Sequence, residues 1–135
     1  MTKILLVEDS KFLRLATERA LARAGYELCS AGDGERALQL AREKLPDLIL
    51  LDILLPKMSG QEVLMALKRD VRTAAIPVVI LSGMSRKNAA RLHQDGAEGF
   101  LEKSALDLDK GPEKLLAAVK EIVGRLAKHA RTTTA

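Results

Sequence analysis

Five polar residues stand at the ends of short apolar stretches of this 135-residue chain. Glu8 and Asp9 follow KILLV, Asp52 follows DLILL, Ser82 follows IPVVIL, and Lys103 ends EGFLEK. Carboxylates held close together repel one another and need a cation, and hard oxygen ligands suit Mg²⁺ or Mn²⁺. A lysine and a serine hydroxyl can both bind a phosphoryl oxygen. These residue types therefore indicate a metal and phosphate site, in which Asp52 is the candidate nucleophile on phosphorus.

The elements that must position these side chains alternate between strand and helix. The apolar stretches at residues 3–7, 26–31, 47–51, 76–81 and 98–103 predict five strands. Because the clearest of them are continuously apolar, they favour parallel strands that are covered on both faces. Helical patterns lie between them, capped by Ser10, Asp33, Ser59 and Ser85, and a fifth begins after Pro112. This alternation predicts a three-layer α/β fold whose ligand site lies at the carboxyl ends of the strands.

Composition narrows the class of protein. The length, with 47% hydrophobic and 30% charged residues, fits one globular domain. Cys29 is the single cysteine, which excludes an internal disulfide and suits the cytoplasm. No N-terminal apolar stretch is long enough for a signal peptide or a membrane span. The net charge of +4 comes with only 2% aromatic residues and with dispersed basic residues, which argues against direct nucleic-acid binding.

The sequence resembles the receiver domain of two-component response regulators. The motifs that carry the resemblance are VEDS at residues 7–10, LLDILLPKMSG at 50–60, ILSG at 80–83 and GAEGFLEK at 96–103. The resemblance covers roughly residues 2–127. It implies a flavodoxin-like, doubly wound sheet of five parallel strands in the order 2-1-3-4-5, flanked by five helices. We therefore expect a receiver domain over residues 1–127 and a short tail over 128–135.

The same resemblance implies the roles of the acidic residues. Asp52 accepts a phosphoryl group from a sensor histidine kinase or from a phosphotransfer protein of a phosphorelay. Asp9, Asp52 and the backbone carbonyl of Leu54 bind Mg²⁺ directly, and Glu8 acts through a bound water. The protein is then a signalling switch and not an enzyme, apart from its own phosphotransfer and dephosphorylation.

The resemblance also implies how the switch works. Ser82 and Lys103 bind the phosphoryl group, and Phe100 turns inward as Ser82 moves. The fourth helix, fifth strand and fifth helix form the surface that binds an output partner or a second copy of the chain. The positions that tune hydrolysis in this family hold Leu54 and Met84, which are apolar and predict slow self-dephosphorylation.

Two features depart from the family pattern, of which Glu8, in place of the common aspartate, is the milder. The family usually has a proline after the lysine, often with a cis peptide, whereas this chain has Ser104 after Lys103. A cis bond without proline costs about 3–4 kcal/mol, so the bond is either trans or strained. The following segment, SALDLDKG, is also longer than usual and leaves the shape of this loop open.

Several alternatives remain open at this point. The chain is a stand-alone receiver, or the front part of a longer regulator that carries an output domain. A receiver that has lost phosphorylation is disfavoured by the complete set of polar residues. A Mg²⁺-dependent aspartyl-phosphate phosphatase needs a second aspartate two residues after the nucleophile, where this chain has Leu54. Taken singly, Asp52 is also explained as a strand-end cap, Ser82 as a turn serine and Phe100 as a core residue.

Overall fold

The computed structural model of the chain describes residues 2–83 and 89–133, with side chains as far as residue 128. The predicted helix cap Ser85 and the predicted tuning residue Met84 lie outside these residues. Within the described part, no helix is long and apolar enough to cross a lipid bilayer.

A parallel sheet of five strands forms the centre of the described residues, in the order β2-β1-β3-β4-β5. The strands are β1 Lys3–Val7, β2 Glu27–Ala31, β3 Leu48–Asp52, β4 Val78–Ser82 and β5 Gly99–Glu102. The helices are α1 Lys11–Arg23, α2 Gly34–Lys44, α3 Gly60–Arg69, α4 Ala89–Gln94 and α5 Glu113–Thr133. Short 3₁₀ helices follow β5 at Lys103–Leu106 and Leu108–Lys110. The predicted fold class and strand order are confirmed, and the boundary expected after residue 127 lies inside α5.

Three of the predicted helix caps are present. The Ser10 hydroxyl accepts a hydrogen bond from the backbone N–H of Leu13 at 3.3 Å, and the Asp33 carboxylate accepts one from Arg36 N–H at 2.9 Å. The Ser59 hydroxyl accepts one from the N–H of Glu62 at 3.2 Å. Each cap satisfies a backbone donor that the first turn of a helix cannot pair, which contributes about 1 kcal/mol. The caps fix where α1, α2 and α3 begin, beside the carboxyl edge of the sheet.

The apolar side chains of the sheet alternate between two cores. In β3, Ile49 and Leu51 pack on the side of α2, α3 and α4, whereas Leu48 and Leu50 pack on the side of α1 and α5. All five residues of β3 are buried. This two-sided burial is why the strand is continuously apolar, as the sequence indicated.

Gly60 lets α3 begin directly against the backbone that follows β3. Its N–H donates to the carbonyl of Ile53 at 2.9 Å. A Cβ atom at Gly60 would lie 2.6 Å from the carbonyl oxygen of Asp52 and 2.6 Å from Cα of Ile53. Because these neighbours are backbone atoms, they cannot turn aside as a flexible side chain can. Gly60 therefore fixes the distance between α3 and the end of β3.

We expect Gly60→Ala to lower the free energy of unfolding by about 1–3 kcal/mol, because the new methyl group collides with backbone. Urea denaturation followed by circular dichroism measures the change. The matched control is Gly124→Ala in α5, where a Cβ meets nothing within 4 Å. This control should raise stability by up to about 1 kcal/mol, because alanine favours a helix. Equal urea midpoints for Gly60→Ala and wild type would contradict the close approach.

Candidate functional site

The site is built around the ammonium of Lys103, which lies between two buried carboxylates. Lys103 Nζ is 2.9 Å from Glu8 Oε1 and 2.8 Å from Asp52 Oδ2. Glu8 and Asp52 are only 4% and 5% exposed. Glu8 directly follows β1 and Asp52 ends the neighbouring strand β3, whereas Lys103 follows β5 and reaches across β4 to meet them. The structure therefore brings together three of the predicted site residues at the carboxyl edge of the sheet.

Both carboxylates are hydrogen-bonded through their second oxygen as well. Asp52 Oδ1 accepts a hydrogen bond from the N–H of Leu54 at 3.0 Å, and Glu8 Oε2 accepts one from the N–H of Ser10 at 3.2 Å. Each acid therefore has one oxygen on the ammonium and one on the backbone two residues further on. Buried carboxylates are tolerated when they are paired in this way. The arrangement also fixes the plane of the Asp52 carboxylate.

The charges of the three groups alter one another's protonation. Burial raises the pKa of Glu8, and the neighbouring charge of Asp52 raises it further, against the hydrogen bond from Lys103. Burial acts to lower the pKa of Lys103, but its bonds to Asp52 and Glu8 outweigh that effect and leave it raised. Lys103 is therefore held as a cation at neutral pH, and it offsets negative charge that burial makes costly.

The other predicted residues lie around this group. Asp9 follows Glu8 and is exposed to solvent, and Leu54 is 61% exposed. Ser82 is buried at the end of β4, opposite Glu102 of β5. Phe100 lies in β5 and packs partly buried against the core on the side of α2, α3 and α4. The structure thus places Ser82 at the same edge as Asp52, and it leaves the Asp9 carboxylate in solvent.

The donor set has the chemistry of a site for a hard divalent cation. Among the described residues, no three His, Cys, Asp or Glu side chains are grouped closely enough to enclose a metal ion in this conformation. The Lys103 ammonium instead supplies the positive charge that Glu8 and Asp52 require. Two buried carboxylates with a third, exposed one beside them are nevertheless the hard oxygen donors that Mg²⁺ prefers. The residues present therefore fit such an ion in type, although the described contacts are made to lysine.

Arg14 is a supporting residue that the sequence analysis did not identify. Its Nη1 donates to the backbone carbonyl of Glu8 at 2.8 Å. The same guanidinium lies against Gly32, where a Cβ would be 2.8 Å from Nη1. Arg14 therefore bonds to the turn after β1 and lies close to the turn after β2. A single arginine near the start of a helix carries no sequence signal that distinguishes it from a surface residue.

The structure shows the conformation of the peptide bond after Lys103. No peptide bond among the described residues is cis, so the Lys103–Ser104 bond is trans. The chain then enters the 3₁₀ helix Lys103–Leu106 at once. The loop that the sequence left open is therefore a helical turn that begins at the site lysine.

Comparisons with known proteins identify relatives of the chain. A family model described as the response regulator receiver domain matches residues 4–120. The chain is 39% identical over 105 residues to the polar-differentiation response regulator DivK of Brucella ovis, with 76% of this chain and 85% of DivK covered. It is 35% identical over 126 residues to the DNA-binding dual master transcriptional regulator RpaA of Synechocystis sp.. That match covers 93% of this chain but spans only half the length of RpaA.

Solved structures show the same fold. The chemotaxis response regulator CheY4 of Vibrio cholerae superimposes with a TM-score of 0.80 at 31% identity, covering 90% of this chain and 98% of that one. The signal receiver domain of a LuxO repressor protein from Vibrio parahaemolyticus gives a TM-score of 0.82 at 30% identity, covering 97% and 96% of the two chains.

The raised pKa of Glu8 predicts a pH dependence of stability in the absence of divalent cations. Unfolding returns Glu8 toward its ordinary value of 4.5, so the unfolded chain releases this proton at lower pH than the folded one. The stabilising contribution of Glu8 is therefore complete below about pH 4.5 and is lost as pH rises through the higher folded pKa. The non-titrating variant Glu8→Gln should gain stability relative to wild type over this range. The gain should grow as pH rises from 4 to 8, because only wild type carries the buried negative charge at the higher pH.

Urea denaturation in EDTA between pH 4 and pH 8 measures this difference. The control is Glu121→Gln, which alters an exposed residue of α5 far from Lys103 in the sequence. The stability of Glu121→Gln should follow that of wild type across the range more closely than the stability of Glu8→Gln does. If the free energy of unfolding of wild type instead rises relative to that of Glu8→Gln as pH rises, pairing with Lys103 outweighs burial.

Proposed function

The chain belongs to the response regulator receiver domain family, and we propose that it is a phosphorylation-activated signalling switch with Asp52 as its phosphoryl acceptor. Response regulators interact with histidine kinases and with downstream targets, and the proposed donor is such a kinase or a phosphotransfer protein. The observation that carries the proposal is the setting of Asp52. Its carboxylate is buried at the end of the central strand, with one oxygen fixed by the backbone and the other beside the Lys103 ammonium.

The proposed reaction is attack by an Asp52 oxygen on the phosphorus of a phosphohistidine. The new O–P bond forms as the donor P–N bond breaks, and the imidazole leaves with the electron pair of that bond. Lys103 is proposed to turn from the carboxylates to the phosphoryl oxygens, because its flexible stem lets the ammonium move a short distance. Ser82, buried at the end of the next strand, is proposed to donate its hydroxyl hydrogen to the same group.

The net negative charge of the site favours the binding of a divalent cation. Glu8 and Asp52 with Lys103 leave a formal charge of −1, before the exposed carboxylate of Asp9 is added. A phosphoryl group adds further negative charge to the same place, which a single ammonium does not offset. We propose that Asp9, Asp52 and the Leu54 carbonyl hold Mg²⁺ or Mn²⁺, with Glu8 acting through water. When bound, such an ion would neutralise charge on the phosphoryl oxygens.

The proposed switch converts the new bond into a change of surface. A phosphoryl group that binds Ser82 and Lys103 better in one arrangement than in another shifts the population toward that arrangement. Phe100, half-buried in β5, is the proposed mobile residue, and α4, β5 and α5 form the proposed output surface. The partner is an output protein or a second copy of the chain, and the proposed location is the cytoplasm.

A second candidate follows from the match to RpaA. That protein is named as DNA-binding, and the chain spans half its length. A receiver of this kind can therefore regulate an output domain on the same polypeptide. The phosphatase alternative finds no such support, because Leu54 provides no acid or base two residues after Asp52.

We expect acetyl phosphate with Mg²⁺ to add one phosphoryl group to wild type, seen as a mass increase of the intact protein. Asp52→Asn should show no adduct, because the amide is a poor nucleophile. The matched control Asp47→Asn changes an exposed aspartate beside the opposite end of β3 and should be phosphorylated like wild type. An adduct that survives in Asp52→Asn would overturn the assignment of the acceptor.

The metal requirement is read from the same experiment. Omitting Mg²⁺ or adding EDTA should abolish the adduct. If wild type shows no adduct, a fluoroberyllate titration separates very fast loss of the phosphoryl group from a receiver that cannot bind it. Failure to bind fluoroberyllate would sink the proposed function.

We also expect the phosphorylated protein to lose its phosphoryl group slowly. Leu54 is apolar and 61% exposed, so it cannot orient a water molecule for attack on phosphorus. The second tuning position, Met84, is apolar as well and lies outside the described residues. Intact mass measured at intervals after removal of the donor should give a lifetime of minutes or longer. A lifetime of seconds contradicts the prediction, and Leu54→Asn should shorten the lifetime if a polar side chain can orient water there.

A further inference from the structure

In the loop after β5, the apolar side chain of Leu106 lies one helical turn after Lys103. The 3₁₀ helix Lys103–Leu106 begins at Lys103 and ends at Leu106. A 3₁₀ helix has three residues per turn, so side chains three positions apart lie one above the other. Lys103 and Leu106 are three positions apart and therefore share one side of this turn. Asp107 then adopts a left-handed conformation, φ 48°, which ends the turn immediately after Leu106.

Leu106 is the buried residue of this turn. Its side chain is 6% exposed, whereas Ser104 and Ala105 are exposed. It belongs to the core on the side of α1 and α5, together with Leu6, Leu81 and Leu115. Leu106 is therefore the apolar side chain that attaches this turn to the core, in addition to the bonds of Lys103 to Glu8 and Asp52.

The contact between this core and the site is tight. A void of only about 10 Å³ is lined by Glu8, Lys103 and Leu106, together with other residues of this core. This volume is at the lower limit of what one water molecule needs. Lys103 and Leu106 therefore line the same small void, and the part of the Lys103 stem that faces it is closely packed. The Lys114–Asp107 ion pair also ties the loop, but its side chains are 61% and 33% exposed, and such pairs contribute little.

We propose that Leu106 is a positioning residue, whose burial fixes the 3₁₀ turn and thereby holds the Lys103 ammonium between Glu8 and Asp52. A lysine stem has four carbons and loses considerable rotamer freedom when it is fixed. Backbone anchoring at the turn reduces that loss, because the stem then starts from one defined point. The geometric part of the inference stands by itself, and its consequence for phosphoryl transfer rests on the proposed function.

The first test measures the accessibility of the Lys103 amine without any phosphoryl donor. The full chain is treated briefly with an acetylating reagent, and peptide mass spectrometry gives the labelled fraction of each lysine. Leu106→Ala should raise labelling of Lys103 severalfold, because the stem gains room to leave the carboxylates. Labelling of Lys44, which is exposed at the end of α2, should be unchanged.

The matched control is Ile122→Ala. Ile122 is 5% exposed and belongs to the same core, but it does not line the void beside Lys103. Both variants are measured well below their unfolding temperatures, and Leu106→Val replaces Leu106→Ala if the latter does not fold. Lys103 labelling that is the same in the Leu106 variant, in Ile122→Ala and in wild type overturns the proposal.

The second test is a double-mutant cycle on the rate of phosphorylation by acetyl phosphate. Leu106→Ala should slow the reaction about tenfold, since small displacements of a positioned group have effects of this size or larger. The same change in a Lys103→Met background should have no further effect, because Leu106 acts through Lys103. Equal slowing in both backgrounds overturns the proposal. If wild type takes no phosphoryl group, the proposed function fails, while the acetylation test still decides the role of Leu106.

Discussion

The position of the Lys103 ammonium between two buried carboxylates is the constraint on which the rest of the site depends. Glu8 and Asp52 are buried beside a leucine-rich core, and their negative charges are costly to bury without a cation. Removing the Lys103 cation would leave two buried carboxylates unpaired, which typically costs about 3–5 kcal/mol, so the cation must arrive where the two acids meet. Glu8 comes with β1, Asp52 with β3 and Lys103 with the turn after β5. The sheet order places these three chain segments within reach of one another.

The ionic group and Phe100 lie on opposite faces of the sheet, because side chains alternate along each strand. Glu8 and Lys103 line the same void as Leu6 and Leu106, on the side of α1 and α5. Phe100 packs on the opposite side, against the core formed with α2, α3 and α4. The ionic chemistry and the proposed mobile aromatic residue are thus separated by a single layer of backbone.

Much of this arrangement was predictable from the sequence because it follows local rules. Strand alternation with helices, the caps at Ser10, Asp33 and Ser59, and two-sided burial of β3 all rest on short patterns. The strand order followed from family resemblance and not from the residues themselves. Two contacts escaped sequence analysis, the bond from Arg14 to Glu8 and the burial of Leu106, because each depends on how distant segments meet. The exposed position of Asp9 was likewise hidden, since neighbouring residues leave a strand end in different directions.

The bond between Lys103 and Glu8 joins residues 95 positions apart in the chain. Contacts of such long range form only after the intervening chain has been ordered. A nascent or partly folded chain can pair β1 with β3, yet it lacks the cation that makes the acidic pair tolerable until β5 arrives. The complete site therefore forms only after β5 has joined the sheet. Only chains in which the turn after β5 has docked therefore hold Asp52 beside Lys103, the arrangement on which the proposed phosphoryl transfer rests.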